Sequence, residues 1–130
     1  MPTADKPDQS QTPAHMALVV DDEPLVRRFV SAVLRRHGWT VLEASDAADA
    51  LAMASRKSLD LLVTDYEMPR VSGVTLAQQL RVHDHDLPVL VISGHPDVES
   101  KMLSLNGRSG FARKPFAAAD LVKSVGALVG

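Results

Sequence analysis

The sequence predicts one α/β domain built on a doubly wound parallel sheet. Short apolar runs that suit buried strands alternate with longer segments of helical periodicity, and this alternation repeats five times after residue 16. Helices that cross between parallel strands cover both faces of such a sheet, because the crossovers are right-handed. The chain of 130 residues is long enough for one domain of this kind and too short for two.

Five apolar runs are predicted to form the strands. A continuously apolar run is typical of a parallel strand that is buried on both faces. The runs at 17–20, 61–64 and 89–92 are the most apolar, so these three should be central. The predicted strands are 17–20, 40–43, 61–64, 89–92 and 110–112.

The segments that follow the strands have helical periodicity. Pro24 suits the first turn of the first helix, and Gly38 suits its end. Asp46 suits the N-cap of the second helix, and Leu76 and Leu80 face inward in the third. Arginines lie opposite the apolar positions of the first helix, which predicts a solvated basic face, with a docking role as the alternative. The helices are predicted from Pro24, over 46–56, after Gly73, over about 96–107 and over 118–128.

Composition and charge exclude several classes of protein. The chain has no cysteine, so disulfides and thiolate metal sites are excluded. A net charge of -2 gives no argument for a nucleic-acid partner. We find neither an apolar run of membrane-spanning length nor a signal-peptide pattern, so we expect a cytoplasmic protein without a membrane partner. Residues 1–15 are mostly polar and predict a disordered tail before a domain over 16–130.

Polar residues follow four of the five apolar runs, at the point where each run ends. Asp21 and Asp22 follow the first run, Asp65 the third, Ser93 the fourth and Lys114 the fifth. The carboxyl ends of parallel strands line the ligand crevice, so these groups should converge. Any one acid alone would also suit a turn or a helix start. Three together predict a site for Mg²⁺, with a phosphoryl group between the hydroxyl and the ammonium.

These motifs resemble the receiver domain of bacterial two-component response regulators. The resemblance covers residues 17–128, and both the order and the spacing of the motifs agree. It implies a flavodoxin-like sheet of five parallel strands in the order 2-1-3-4-5, with helices on both faces. The motifs are Leu18-Val19-Val20-Asp21-Asp22-Glu23-Pro24, Asp65-Tyr66-Glu67-Met68-Pro69 with Ser72-Gly73, Ser93-Gly94, and Lys114-Pro115-Phe116.

The resemblance implies a phosphoacceptor and a metal site. Asp65 would take a phosphoryl group from a phosphohistidine. Mg²⁺ would be held by Asp21, Asp22, Asp65 and the backbone carbonyl of Glu67. The family also has a cis peptide bond at the position of Lys114-Pro115.

The resemblance further implies how the phosphoryl group is held, read out and lost. Ser93 would bond one phosphoryl oxygen and Lys114 would pair with another. Phe111 falls at the switch aromatic of the family, which turns inward when the hydroxyl moves toward the phosphoryl group. Glu67 and His95 would flank the route of the attacking water and set the phosphoryl lifetime.

The implied function is a phosphorylation-activated signalling switch, not an enzyme, although it would assist its own phosphotransfer and dephosphorylation. The donor would be a sensor histidine kinase or a histidine phosphotransfer protein. The output would be a downstream protein that docks on the fourth helix, fifth strand and fifth helix, with no nucleic acid. The alternative is a receiver domain excised from a hybrid histidine kinase or a multidomain response regulator.

Two rival classes remain open. A phosphatase of the haloacid-dehalogenase type also uses a strand-end aspartate and Mg²⁺, but Asp65-Tyr66-Glu67 only loosely imitates its Asp-x-Asp pair. A flavin-binding module of flavodoxin type needs a hydroxyl-rich phosphate loop where this chain has Asp21-Asp22-Glu23. Two stretches depart from the receiver pattern: 105–110, where Arg108 replaces a small apolar residue, and the polar link 81–86.

Overall fold

The computed structural model describes residues 15–95, 97–98 and 105–129. The predicted tail and most of the helix predicted over 96–107 lie outside these ranges. No helix within them is both long and apolar enough to cross a bilayer. The strands are β1 (Met16–Val20), β2 (Thr40–Ala44), β3 (Leu61–Asp65), β4 (Val89–Ser93) and β5 (Ser109–Arg113). The helices in the described ranges are α1 (Pro24–Arg36), α2 (Ala47–Ala54), α3 (Gly73–Arg81) and α4 (Ala118–Val129), the last of which the sequence predicted as the fifth.

All five strands pair in parallel in one sheet. Their order is β2-β1-β3-β4-β5, which confirms the expected order 2-1-3-4-5. The three most apolar strands are central, as predicted. Val20 pairs with Thr64, and Asp65 pairs with Ile92, so β1, β3 and β4 end close to one another. The groups that follow these strands therefore share one edge of the sheet.

Buried side chains form two apolar clusters, one on each face of the sheet. Leu18 of β1 packs with Leu76 of α3 in the cluster under α2 and α3. Its neighbour Val19 belongs to the other cluster, with Val30 of α1 and Leu121 of α4. Successive residues of a strand point to opposite faces, so one apolar strand contributes to both clusters. Helices thus cover both faces, as the sequence predicted.

The observed ends of the elements differ from the predicted ends by one or two residues. Asp65 and Ser93 are the last residues of their strands because the parallel ladder continues through them. Asp46 is the N-cap of α2, and its Oδ1 accepts from the Asp49 amide at 2.8 Å. The same helix ends earlier than predicted, where the Ser55 hydroxyl donates to the Ala52 carbonyl at 2.7 Å.

The basic face of α1 is not solvated throughout. Arg27 donates to Glu43 Oε1 at 3.3 Å and to the Asp21 carbonyl at 2.8 Å. Arg35 donates to Glu43 Oε2 and to the Val41 carbonyl, both at 3.3 Å. The prediction of a solvated face is wrong for Arg27, whose side chain is only 18% exposed, because β2 places a carboxylate within its reach, whereas Arg35 remains 52% exposed.

Arg81, the last residue of α3, joins the polar link 81–86 to the start of β5. Its guanidinium donates to the Leu87 carbonyl at 2.8 and 3.0 Å and to the Arg108 carbonyl at 2.8 Å. It also donates to the Asn106 carbonyl. Burial lowers the pKa of Arg81. The two stretches that depart from the receiver pattern are therefore connected by this side chain.

Candidate functional site

The carboxyl edge of the sheet brings the predicted polar groups together. Asp21 follows β1, Asp65 ends β3, Ser93 ends β4 and Lys114 follows β5. Parallel strands that end together leave a crevice at this edge. Here the crevice is an open cleft of about 520 Å³ lined by Asp22, Glu23, Asp65, Glu67, Gly94, His95 and Lys114.

Three carboxylates meet at the base of the cleft. One oxygen each from Asp21, Asp22 and Asp65 lies within 4.8 Å of the others. Asp21 and Asp65 are buried, whereas Asp22 is exposed. Asp21 Oδ1 accepts from the Glu23 amide at 2.9 Å. Asp21 Oδ2 is buried without a hydrogen-bond donor among the described residues, an arrangement that favours an added cation.

Lys114 supplies positive charge to these acids. Its Nζ lies 3.1 Å from Glu23 Oε1, 3.4 Å from Asp65 Oδ1 and 3.6 Å from Asp21 Oδ2. Burial alone would lower the pKa of Lys114, but attraction to Asp21, Asp65 and Glu23 outweighs it and raises the pKa. The ammonium therefore stays charged beside the Asp65 carboxylate.

The carboxyl group of Asp65 is held in an environment that disfavours its charge. Burial, followed by repulsion from Asp21, raises the pKa of Asp65 to about 6, while Lys114 opposes the shift. Burial also raises the pKa of Asp21. Two buried acids with raised pKa values beside one lysine leave the site short of positive charge.

The backbone around Asp65 is held by the loop that follows it. The Tyr66 amide donates to the Ile92 carbonyl, and the Gly73 amide donates to the Tyr66 carbonyl, both at 2.8 Å. A Cβ atom at Gly73 would overlap the Asp65 carbonyl oxygen. The loop therefore needs glycine where α3 begins, because no side chain fits against the strand end.

Ser93 and His95 line the side of the cleft formed by β4. Ser93 is 1% exposed, and its Oγ accepts from the His95 amide at 3.0 Å. His95 Nε2 lies 2.6 Å from Glu67 Oε2, and both of these side chains are more than half exposed. The Lys114 amide donates to the Ser93 carbonyl at 2.8 Å. The end of β4 is thus joined to the loops after both β3 and β5.

Phe111 lies on β5, three residues before Lys114. It pairs with Val91 of β4 and is half-buried against the apolar cluster under α2 and α3. The Lys114-Pro115 peptide bond is cis, which confirms the expectation from the motif.

Sequence reasoning missed two residues at the site. Glu23 was part of a motif without a role, yet its carboxylate approaches Lys114 most closely. Arg27 was assigned to a solvated face, yet it contacts the Asp21 carbonyl. The signal for Arg27 is its place one turn after the acidic loop. That signal is weak without knowledge of the neighbouring strand.

Known proteins are similar to this chain over most of its length. The chain is 36% identical over 113 residues to the probable transcriptional regulatory protein TcrX of Mycobacterium tuberculosis, covering 86% of this chain and 48% of that protein. It is also 36% identical to the response regulator MprA of Mycobacterium leprae, covering 86% and 50% of the two chains. The chain spans about half the length of these curated relatives.

Solved structures have the same fold. The chemotaxis protein CheY4 of Vibrio cholerae superposes with a TM-score of 0.82 at 26% identity, covering 89% of this chain and 99% of that one. The receiver domain of NtrX from Brucella abortus gives 0.79 at 30% identity, covering 87% and 97%. The family model of the response regulator receiver domain matches residues 17–126. With the acids, the hydroxyl and the lysine at one sheet edge, this chain belongs to the response regulator receiver domain family.

Proposed function

We propose that this domain, over 16–130, is phosphorylated on Asp65 by the phosphohistidine of a sensor histidine kinase or a histidine phosphotransfer protein. The observation that carries the proposal is the position of the Asp65 carboxylate, with Oδ1 3.4 Å from Lys114 Nζ in an open cleft. A carboxylate oxygen would form the new O–P bond as the P–N bond to the donor imidazole breaks. Such transfer depends mainly on positioning and on neutralising charge.

A magnesium ion fits the acids of the cleft. The three neighbouring carboxylate oxygens and the buried Asp21 Oδ2 without a donor support this assignment. Asp21, Asp22, Asp65 and the backbone carbonyl of Glu67 would hold the ion. When bound, it would neutralise phosphoryl oxygens and acids together.

Ser93 and Lys114 would hold the phosphoryl group on the remaining sides. Ser93 Oγ already accepts from the His95 amide, so its hydroxyl proton would be donated to a phosphoryl oxygen. The Lys114 ammonium would pair with another oxygen. The raised pKa of Lys114 supports this role because the group keeps its charge.

The signal would leave the site through β4 and β5. Movement of Ser93 toward the phosphoryl group would let Phe111 turn inward, which would change the surface formed by β5 and α4; the helix predicted over 96–107, also expected to contribute, lies mostly outside the described residues. A downstream protein would recognise that surface, so the domain acts as a switch and not as an enzyme. Amide NMR shifts on adding beryllofluoride, a phosphoryl mimic, should extend to β5 and α4 and not stop beside Asp65.

The acceptor is tested by mass spectrometry after treatment with acetyl phosphate and Mg²⁺. The parent should gain one phosphoryl group, and EDTA should abolish the gain. Asp65→Asn should gain none. Asp60→Asn, which changes an acid at the opposite end of β3, should be labelled like the parent. Undiminished labelling of Asp65→Asn would remove Asp65 from the role.

A further inference from the structure

The guanidinium of Arg27 joins the acidic loop of the cleft to the neighbouring strand β2. Its Nη1 donates to the Asp21 carbonyl at 2.8 Å, and its Nε donates to Glu43 Oε1 at 3.3 Å. The Arg27 side chain is 18% exposed, so this contact is largely shielded from water. Arg27 itself is not among the residues that line the cleft.

The carbonyl that Arg27 holds belongs to the peptide plane between Asp21 and Asp22. Two further hydrogen bonds hold Asp21: its amide donates to the Ala44 carbonyl at 3.2 Å, and its Oδ1 accepts from the Glu23 amide. With its amide and carbonyl both held, the Asp21 backbone has a fixed orientation. That orientation determines where the Asp21 and Asp22 carboxylates point.

Glu43 holds the guanidinium in place. It pairs with Val19 across β1 and β2, and its two carboxylate oxygens accept from Arg27 and from Arg35. Arg35 also donates to the Val41 carbonyl of β2. The two arginines thus share one carboxylate, but only Arg27 reaches the acidic loop.

We propose that Arg27 is a positioning residue for the magnesium site, and that it preorganises the Asp21–Asp22 turn through the Asp21 carbonyl. The inference rests on the proposed function, in which these acids bind Mg²⁺. It predicts the direction in which Mg²⁺ affinity changes when Arg27 is replaced. The positive charge of Arg27 repels a divalent cation, so loss of charge alone would tighten binding. Loss of positioning would weaken it.

The experiment measures Mg²⁺ affinity by isothermal titration calorimetry for the parent, Arg27→Gln and Arg35→Gln. Partners that orient a metal ligand change affinity by about 10–100-fold, and we expect Arg27→Gln to weaken binding by roughly tenfold. Arg35→Gln removes the same charge from the same Glu43 carboxylate and should change affinity by at most about twofold. In EDTA, the amide resonances of Asp22 and Glu23 should shift in Arg27→Gln and stay in place in Arg35→Gln.

Two further variants keep the test decisive if Arg27→Gln does not fold. Arg27→Lys retains the charge but lacks the forked geometry that spans both acceptors, so it should also weaken binding. Glu43→Gln leaves the carbonyl contact but loosens the guanidinium, and should weaken binding by roughly two- to threefold.

The outcomes separate this inference from the proposed function. Tighter or unchanged binding in Arg27→Gln and Arg27→Lys would overturn the positioning role, as would an equal loss in Arg35→Gln. A parent that binds no Mg²⁺ at all would instead overturn the metal site itself, and the positioning role with it.

Discussion

His95 Nε2 lies 2.6 Å from Glu67 Oε2, so two exposed side chains contact each other at the cleft that contains Asp65. Glu67 follows β3 and His95 follows β4, and the pair connects these two loops. A contact between exposed polar side chains contributes only about 0–1 kcal/mol even when both are charged, so it can open readily. Its position matters more than its strength, because both side chains line the cleft that contains Asp65.

The first prediction concerns the lifetime of the phosphorylated state. Replacing both Glu67 and His95 with Ala should speed dephosphorylation by roughly tenfold, equivalent to about 1.4 kcal/mol of barrier, because two side chains that line the cleft no longer occupy space beside Asp65. The sequence alone does not predict whether the rate rises or falls. The contact between the two side chains at the cleft favours a rise. The measurement is loss of phosphoryl label at saturating Mg²⁺.

The single variants serve as the control for this pair. Since each side chain needs the other to cover the cleft, Glu67→Ala and His95→Ala should each reproduce most of the double effect. Fully additive effects, or rates equal to that of the parent, would contradict a shared covering role.

The second prediction concerns the pH dependence of stability without metal. Burial favours the neutral carboxyl of Asp65, so its contribution to stability is complete below its usual pKa of 3.8 and is lost as the pH rises through about 6. In EDTA, the parent should therefore be more stable at pH 5 than at pH 7.5. At pH 7.5, Asp65→Asn should be more stable than the parent by roughly 1–3 kcal/mol.

Urea unfolding at the two pH values measures this effect. Asp60→Asn is the matched control and should keep the pH dependence of the parent. Adding Mg²⁺ at pH 7.5 should restore stability to the parent, because a ligand that binds only the folded state stabilises it. A parent that becomes more stable between pH 5 and 7.5 in EDTA would contradict the raised pKa.

The third prediction concerns Gly73. Gly73→Ala should destabilise the fold by roughly 1–3 kcal/mol and slow phosphorylation, because the new methyl group overlaps the Asp65 carbonyl oxygen. Gly126→Ala is the control, since a Cβ atom there meets nothing within 4 Å. In the interior of α4 that change should stabilise by about 0.5–1 kcal/mol. Thermal melts of the two variants measure the difference. An equal change in stability would show that the end of β3 can shift to accommodate the methyl group.

The fourth prediction concerns Arg81. Arg81→Met keeps much of the apolar side chain but leaves the Leu87, Asn106 and Arg108 carbonyls without their charged donor. We expect a loss of roughly 1.5–3 kcal/mol in the free energy of unfolding, measured in urea. Arg36→Met, an exposed arginine in the last turn of α1, should change stability by less than about 0.5 kcal/mol. A similar loss in both variants would show that the carbonyl contacts contribute little.

Much of the fold follows from local patterns in the chain. The apolar runs at 17–20, 61–64 and 89–92 predicted the central strands because a strand buried on both faces needs apolar residues throughout. The convergence of Asp21, Asp65 and their partners followed from strand ends alone. These features depend on neighbours in sequence and on one topological rule.

The remaining features depend on contacts between segments far apart in sequence. Arg27 looked solvated because helical periodicity cannot reveal that Glu43 lies beside α1 on the next strand. Glu67 and His95 lie 28 positions apart in the chain, in loops that follow different strands. The sequence pattern does not reveal that their side chains come within 2.6 Å of each other. Strand ends were short by one residue because a polar residue can continue a ladder when its backbone has a partner, as Asp65 has in Ile92.

The edge position of β5 has a mechanical consequence. Within the described sheet, β5 bonds only β4, so displacing it breaks one ladder where a central strand would break two. The same strand carries Phe111 and leads directly into Lys114, roughly 10 Å further along an extended chain. In the proposed switch, Lys114, which contacts the phosphoryl group, and Phe111, which responds to it, therefore belong to the same displaceable edge strand and the residue that follows it. A substitution that attached β5 more firmly to β4 would therefore weaken the conformational response without changing the residues of the phosphorylation site.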